Sequence, residues 1–135
     1  MISHHLVKLT ARPRGNHLVT DEILAKLKLP NSGLLHLFLQ HTSASLAINE
    51  NASPEVRTDL AKALDRMAPE DARLYQHTEE GPDDMPAHIK GVLCGNSVSI
   101  PIDEGKLMLG QWQAVYLMEF RNNAGPRNVI ATVIS

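Results

Sequence analysis

The sequence is poor in cysteine, in aromatic residues and in surplus charge, and it has no long apolar run. Cys94 is the only cysteine, which excludes a disulfide framework and a cysteine-rich zinc site. The 13 Lys and Arg against 15 Asp and Glu give a net charge of −2, so no basic surplus neutralises a nucleic-acid backbone. No apolar stretch approaches the roughly 18 residues that cross a bilayer, and the N-terminus shows no signal-peptide pattern. We therefore expect a cytoplasmic protein with no nucleic-acid partner and no membrane partner.

The remaining composition is that of a globular protein. Of the 135 residues, 43% are apolar and 21% are charged, which is typical of a chain that buries one core. We predict a single domain over residues 1–135. Seven histidines are the most unusual feature of the totals.

Alternating apolar residues predict strands, and cap residues predict helices. The predicted strands cover residues 2–10, 33–40, 46–49, 98–102, 107–121 and 127–134. The predicted helices start at Thr20, at Ser53-Pro54 and at Asp83 or Asp84. Threonine, serine and aspartate are residue types that are preferred at helix N-caps. The longest strand would place Trp112 in the core. Consecutive antiparallel strands with helices inserted in the first half indicate an α+β fold with one or two layers of antiparallel sheet.

The segment His41–Leu60 concentrates small polar residues, a histidine and a glutamate between apolar runs. Asn49, Glu50 and Asn51 precede a helix start, where unpaired N–H groups favour anions. These three residues predict a polar-ligand site. The alternative is an ordinary strand-to-helix turn built from turn-forming residues.

Three histidines are candidates for a metal site. His41 ends a predicted buried strand, His77 lies in the long polar loop 69–84, and His88 lies in the short helix that follows. Three converging imidazoles would leave a fourth coordination position open, as in catalytic zinc sites. Their spacing is not diagnostic, and the residues alone favour local hydrogen bonding of each ring.

Two further positions are candidates for anion binding. Ser97 follows Gly95-Asn96 after the short helix, where a helix cap is the alternative, and Arg127 follows Gly125-Pro126. Cys94 lacks a catalytic cysteine signature and fits a small core residue.

Three motifs together resemble one family. They are HTSASLAINENASPEVRTDL, HIKGVLCGNSVSIPIDEGKLMLGQWQAVYLMEF and GPRNVIATV, and the resemblance covers the chain from about Gly15 to Ile134. They look like the YjbQ-like proteins, a long-uncharacterised family also described as secondary thiamine-phosphate synthases. The resemblance implies an α+β fold with an antiparallel β-sandwich-like core and two to three helices. It also implies a homotrimer with sites near subunit interfaces.

The resemblance changes the interpretation of the histidines. It implies that His41, His77 and His88 form a metal or ligand site for a divalent metal, zinc or magnesium. The implied activity joins a pyrimidine diphosphate to a thiazole phosphate and releases pyrophosphate, as a weak or secondary reaction. Ser53 and Thr78 depart from the family pattern, which usually has an acidic residue at each position.

Two hypotheses follow. In the first, an enzyme binds metal through the three histidines, and His41, Glu50 and Asn51 act in catalysis, with Glu50 as the general base. Its substrate, a small phosphorylated molecule, would be held by Thr42, Ser43, Asn49, Ser97 and Arg127. In the second, the protein is a metal-carrying trimer that binds a small phosphorylated ligand without turnover. A hydrolase that depends on Ser97 or Cys94 is a third and weaker alternative.

Overall fold

A computed structural model describes residues 1–135 and contains two antiparallel sheets and three helices. The strands are β1 (Ile2–Leu9), β2 (Gly15–Leu18), β3 (Gly33–Leu39), β4 (Ala44–Glu50), β5 (Ser97–Asp103), β6 (Lys106–Leu107), β7 (Gln113–Glu119) and β8 (Arg127–Ile134). The helices are α1 (Thr20–Leu24), α2 (Pro54–Met67) and α3 (Asp84–Cys94), with one turn of 3₁₀ helix at Ala72–Leu74. None of the helices combines the length and the apolar character that a membrane crossing requires.

The two sheets pack face to face around one core. The larger sheet has the order β1-β8-β3-β5-β6 and the smaller has the order β2-β7-β4. The core between them contains alternate residues of facing strands, such as Leu35 and Leu37 of β3 and Leu46 of β4. Because successive strand residues point to opposite faces, each sheet contributes one apolar face to this core. The predicted α+β fold with a sandwich-like core is confirmed.

Helices α2 and α3 form a third layer on the far side of the smaller sheet. A second apolar cluster joins Ala87 of α3 to Tyr116 and Met118 of β7 and to Phe120 just after it. Strand β7 is therefore buried on both faces, and its sequence QAVYLME is almost continuously apolar. This layer positions α3 against the beginning of β4.

Several sequence predictions of local structure are wrong. The segment 107–121 is not one strand, because it ends at β6 and resumes at β7 after a turn, and Trp112 in that turn is 59% exposed. Strand β2 has no counterpart among the predicted strands. Its four residues Gly15–Leu18 pair with β7, so its existence depends on a partner about 100 residues away.

Two predicted helix caps are used differently. Thr20 is the first residue of α1, and its hydroxyl accepts the N–H of Val115 in β7. Ser53 occupies the N-cap of α2 but makes no side-chain cap bond. The Glu50 carboxylate accepts the N–H groups of Ala52 and Ser53 instead, at 2.6 and 3.0 Å. A neighbouring acid thus fixes the entry to α2.

Candidate functional site

The loop before α3 and the first turns of α3 bring two histidines onto one carboxylate. Asp84 begins α3, and His88 lies one turn later on the same face because residues i and i+4 are neighbours on a helix. The Asp84 Oδ2 atom is 2.6 Å from His77 Nε2 and 3.1 Å from His88 Nε2. One potential ligand atom from each residue lies within 4.8 Å of the other two. We call His77, Asp84 and His88 the triad.

Arg121 binds the Asp84 carboxylate through the oxygen that does not face the histidines. Arg121 Nη1 donates to Asp84 Oδ1 at 2.5 Å, and its Nε donates to Asp83 Oδ2 at 2.9 Å. Asp84 is only 2% exposed. Burial raises the pKa of its carboxyl, but the hydrogen bond with His77 and the positive charge of Arg121 lower it, and the net pKa lies below the ordinary value. Asp84 is therefore a fixed, ionised acceptor.

The backbone sets the orientation of His88. With its proton on Nδ1, His88 donates to the carbonyl oxygen of Thr42 at 3.1 Å, which directs Nε2 toward Asp84. A ring nitrogen tied to a carbonyl while the other faces a ligand position is the usual arrangement of metal-bound histidines. Helix α3 approaches this carbonyl closely, since a Cβ on Gly91 would lie 3.0 Å from the Thr42 oxygen. Glycine at position 91 permits this approach.

A cleft of about 490 Å³ opens beside the triad. It lies between the turn before β4 and the exposed side of α3. Its lining residues are His41, Thr42, Ala44, His88, Gly91, Val92, Gly95 and Asn96. No lysine, arginine, aspartate or glutamate is among them, so the histidines are its only titratable groups.

His41 lies in this cleft but outside the triad. Its Nε2 accepts the backbone N–H of Asn128 at 2.8 Å. Burial lowers the pKa of His41 below its ordinary value, and the positive charge of Arg127 lowers it further, against a smaller opposite effect of Glu119. The ring is therefore neutral at pH 7.

Arg127 belongs to a buried ion pair beneath the turn His41–Ser43. Its Nε and Nη2 atoms donate to the two carboxylate oxygens of Glu119 at 2.7 and 2.5 Å. The Nη2 atom also donates to the carbonyl and hydroxyl oxygens of Ser43, at 3.2 and 3.0 Å. Arg127 is 4% exposed and, like Ser43, is not among the residues that line the cleft. The pair shapes the floor of the turn.

The structure does not bring the residues Asn49, Glu50 and Asn51 to the cleft. They lie at the opposite end of β4, a seven-residue strand that spans about 20 Å. Asn51 donates to the carbonyl oxygens of Gln111 and Gln113, and the Glu50 carboxylate is bound to the turn before α2. Within one chain, these three residues and the histidines therefore do not belong to one site.

Ser97 also lies outside the cleft. It begins β5 next to Asn96, and it is paired with Phe38 across the sheet. Thr42 lines the cleft with its exposed side chain, while its carbonyl orients His88.

Sequence reasoning missed Asp84 and Arg121 as members of the site. The sequence indicates Asp84 only as a possible helix cap, and no side-chain cap bond forms at that helix start. The spacing Asp84-x-x-x-His88 within a predicted helix is an available signal, because it places both side chains on one face. Arg121 has no local signal, since its partners are 37 and 38 residues earlier in the chain.

The comparisons with known proteins agree on one family. The UPF0047 protein YjbQ-like family matches residues 5–135. The UPF0047 protein YjbQ of Salmonella typhimurium is 49% identical over 130 residues, covering 94% of each chain. UPF0047 protein sll1880 of Synechocystis is 52% identical over 102 residues, which is 76% of this chain and 69% of that protein.

Solved structures show the same fold. The conserved hypothetical protein TT1486 of Thermus thermophilus superposes with a TM-score of 0.84 at 29% identity, over 97% of this chain and 99% of the other. A family match over nearly the whole chain, with relatives at this level of identity, establishes membership. The chain belongs to the YjbQ-like UPF0047 family.

Proposed function

We propose that the triad holds a divalent metal ion and that the adjacent cleft accepts a small phosphorylated ligand. The donor set fits this proposal, because two imidazole nitrogens and one carboxylate oxygen are ligands that zinc accepts in catalytic sites with an open position. Magnesium prefers oxygen ligands, so this donor set favours zinc.

One observation carries the proposal. The Nε2 atoms of His77 and His88 converge on the same oxygen of Asp84, while His88 is already tied through Nδ1 to a backbone carbonyl. With Nδ1–H donated to the Thr42 carbonyl, the Nε2 atom of His88 faces the Asp84 carboxylate, and its lone pair is the one that a metal ion would use. A cation between these atoms satisfies both groups.

A negatively charged ligand in the cleft would depend on the metal for its positive partner. The cleft lining has polar donors but no lysine or arginine, so phosphate oxygens find no cationic side chain there. When bound, the metal supplies charge stabilisation for such oxygens. Thr42 and Asn96 offer hydrogen-bond groups around them, and Arg121 keeps the Asp84 carboxylate in place.

We further propose that the reaction is that of a weak thiamine-phosphate synthase. It would join a pyrimidine diphosphate to a thiazole phosphate and release pyrophosphate. The support is the likeness to the YjbQ-like family together with a cleft of a size suited to small phosphorylated molecules. Glu50 and Asn51 have no part in this proposal, because their side chains are bonded at the far end of β4.

The test is metal analysis followed by a turnover assay. We expect purified protein to retain zinc and to release pyrophosphate from the two thiamine precursors in a zinc-dependent manner. The variant His88→Ala should lose both properties, whereas His17→Ala, on β2 of the smaller sheet, should keep them. Equal zinc content in wild type and His88→Ala would refute the metal centre.

A second candidate is a metal-carrying trimer that binds a phosphorylated ligand without turnover. It is favoured by one observation: the Glu50 carboxylate, the predicted general base, is engaged by the backbone before α2, and no carboxylate lines the cleft. Saturable ligand binding to the zinc-loaded protein, with no pyrophosphate released over long incubation, would select this candidate over the enzyme.

We propose that the outer face of the larger sheet is the contact between copies in a homotrimer. The registers of β1, β8 and β3 place Leu6, Ile130 and Phe38 side by side. Leu6 and Phe38 are 62% and 42% exposed, which favours a covering partner. Phe38→Asp should shift the mass in light scattering toward a monomer, whereas Met67→Asp on α2 should not. A monomeric wild type would refute the trimer.

We propose a cytoplasmic location on the basis of one residue. Cys94 is unpaired and partly buried, which is compatible with the reducing cytoplasm.

A further inference from the structure

His41 differs from the triad histidines in the direction of its hydrogen bonds. The backbone N–H of Asn128 donates to His41 Nε2 at 2.8 Å. A backbone N–H is always a donor, so Nε2 must offer its lone pair and carry no proton. In a neutral ring the proton then resides on Nδ1.

The Nδ1 atom has no partner within the protein. It makes no hydrogen bond. Three side-chain atoms are fully buried without a partner, namely Ser45 Oγ, Arg57 Nη1 and Asn128 Oδ1. His41 Nδ1 is not one of them, so this atom is not fully buried. Because His41 lines the cleft, its N–H is an available donor at the cleft wall.

The same bond removes His41 from the set of metal ligands. Metal ions bind the lone pair of an imidazole nitrogen, and the lone pair of His41 is on the nitrogen that Asn128 occupies. His88 has the complementary arrangement, with Nδ1 bonded to the Thr42 carbonyl and Nε2 directed at the triad. The two rings that share the cleft therefore have different uses.

We infer that His41 is a neutral hydrogen-bond donor that binds an oxygen atom of the ligand through Nδ1–H and takes no part in holding the metal. This inference rests on the proposed function for the existence of a cleft ligand, but not for the state of the ring. The recognised group is an acceptor oxygen such as that of a phosphate. A neutral donor contacts such an oxygen without adding a charge beside the metal.

The state of the ring is tested by two-bond proton–nitrogen NMR on the whole protein at pH 7.5, with and without zinc. We expect His41 to show a protonated Nδ1 and an unprotonated Nε2 in both samples. A ring protonated on Nε2, protonated on both nitrogens or shifted by direct zinc bonding would overturn the inference. This result does not depend on whether any ligand binds.

The use of Nδ1–H is tested with two variants, each of which replaces only one of the two hydrogen-bonding nitrogens of the ring. His41→Asn places an amide nitrogen near the position of Nδ1. His41→Gln places an amide oxygen near Nε2, where it accepts the Asn128 N–H, and leaves no donor at Nδ1. The probe is inorganic phosphate titrated into zinc-loaded protein by calorimetry.

We expect His41→Asn to bind phosphate within about threefold of wild type and His41→Gln to bind it about tenfold more weakly, the loss of one hydrogen bond. Both variants should keep the zinc stoichiometry of wild type. Equal phosphate affinity in wild type and His41→Gln, equal weakening in both variants, or loss of zinc in either would overturn the inference. If wild type binds no zinc, the proposed function fails while the NMR result still decides the state of His41. If wild type binds zinc but no phosphate, the ligand contact is refuted.

Discussion

The turns at the two ends of β4 have similar compositions and opposite properties. The turn His41–Ser43 leaves the Nδ1 atom of its histidine without a protein partner, beside a cleft. In the turn Asn49–Asn51, the side-chain oxygen of Asn49, the carboxylate of Glu50 and the amide of Asn51 all bond to neighbouring backbone. A cluster of polar residues thus points to function only when its hydrogen-bonding groups are left available by the fold. Substitutions in and around the two turns test this contrast.

The buried ion pair under the first turn should dominate stability. Arg127→Ala leaves the Glu119 carboxylate buried and unpaired, and breaking a buried pair costs about 3–5 kcal/mol in the free energy of unfolding. Urea denaturation measures this loss. The control is Arg12→Ala, whose pair with Glu22 is partly exposed and whose loss should cost only about 0–1 kcal/mol. Similar losses in the two variants would show that the Arg127 pair is not an anchor.

Metal affinity should depend on the triad and not on the second turn. Removing a direct ligand by His88→Ala should weaken zinc binding by more than the ~10–100-fold that loss of an outer partner costs. Competition with a chromogenic chelator measures the affinity, and Asn51→Ala is the control with unchanged affinity. The contrast between the turns fails if both variants bind zinc equally well.

The second turn should contribute to stability through Glu50 and not through Ser53. Glu50→Ala removes the carboxylate that accepts two backbone N–H groups before α2, a loss comparable to that of a helix cap, about 0.5–2 kcal/mol. Ser53→Ala should change the free energy of unfolding by less than about 0.5 kcal/mol, because its hydroxyl makes no cap bond. Thermal and urea unfolding compare the two variants. A larger effect of Ser53→Ala would mean that the serine caps α2 in solution.

The smallest effect should be a pH dependence from His41. Its folded-state pKa is lowered, mainly by burial, so the unfolded chain takes up a proton at a higher pH than the folded protein. The contribution of this ring to stability is therefore fully present above the unfolded pKa of about 6.5 and is lost as the pH falls through the folded pKa. Between pH 8 and pH 5, the free energy of unfolding of wild type should therefore fall more than that of His41→Gln. Parallel profiles would show that the ring titrates normally.

The strong periodic segments of the fold were predictable. Strands β1, β3, β5 and β8 and the starts of α2 and α3 follow from alternation, proline and cap residues. The failures have one cause. Strand β2 and the break between β6 and β7 depend on which distant strand is available for pairing, and Trp112 is exposed because it lies in that break.

The residues of the candidate site were also predicted only in part. The resemblance to the YjbQ-like family implies that His41, His77 and His88 share one site, whereas the structure brings only His77 and His88 to a common carboxylate. Arg127 and Glu50 are predicted to contact substrate, but Arg127 is paired with Glu119, and the Glu50 carboxylate accepts the N–H groups of the turn that follows it. Arg121 is missed because its partners Asp83 and Asp84 are distant in the sequence, whereas the i, i+4 spacing of Asp84 and His88 is a signal that the sequence contains.

The fold class, the absence of a disulfide framework and the family follow from the amino-acid sequence alone, because composition, periodicity and ordered motifs are properties of the chain before it folds. Which polar groups are available for chemistry is set only when the chain is folded. Which nitrogen of His41 or of His88 carries the proton depends on the backbone group that bonds to the ring. That neighbour is brought there by strand pairing and helix packing across the whole chain.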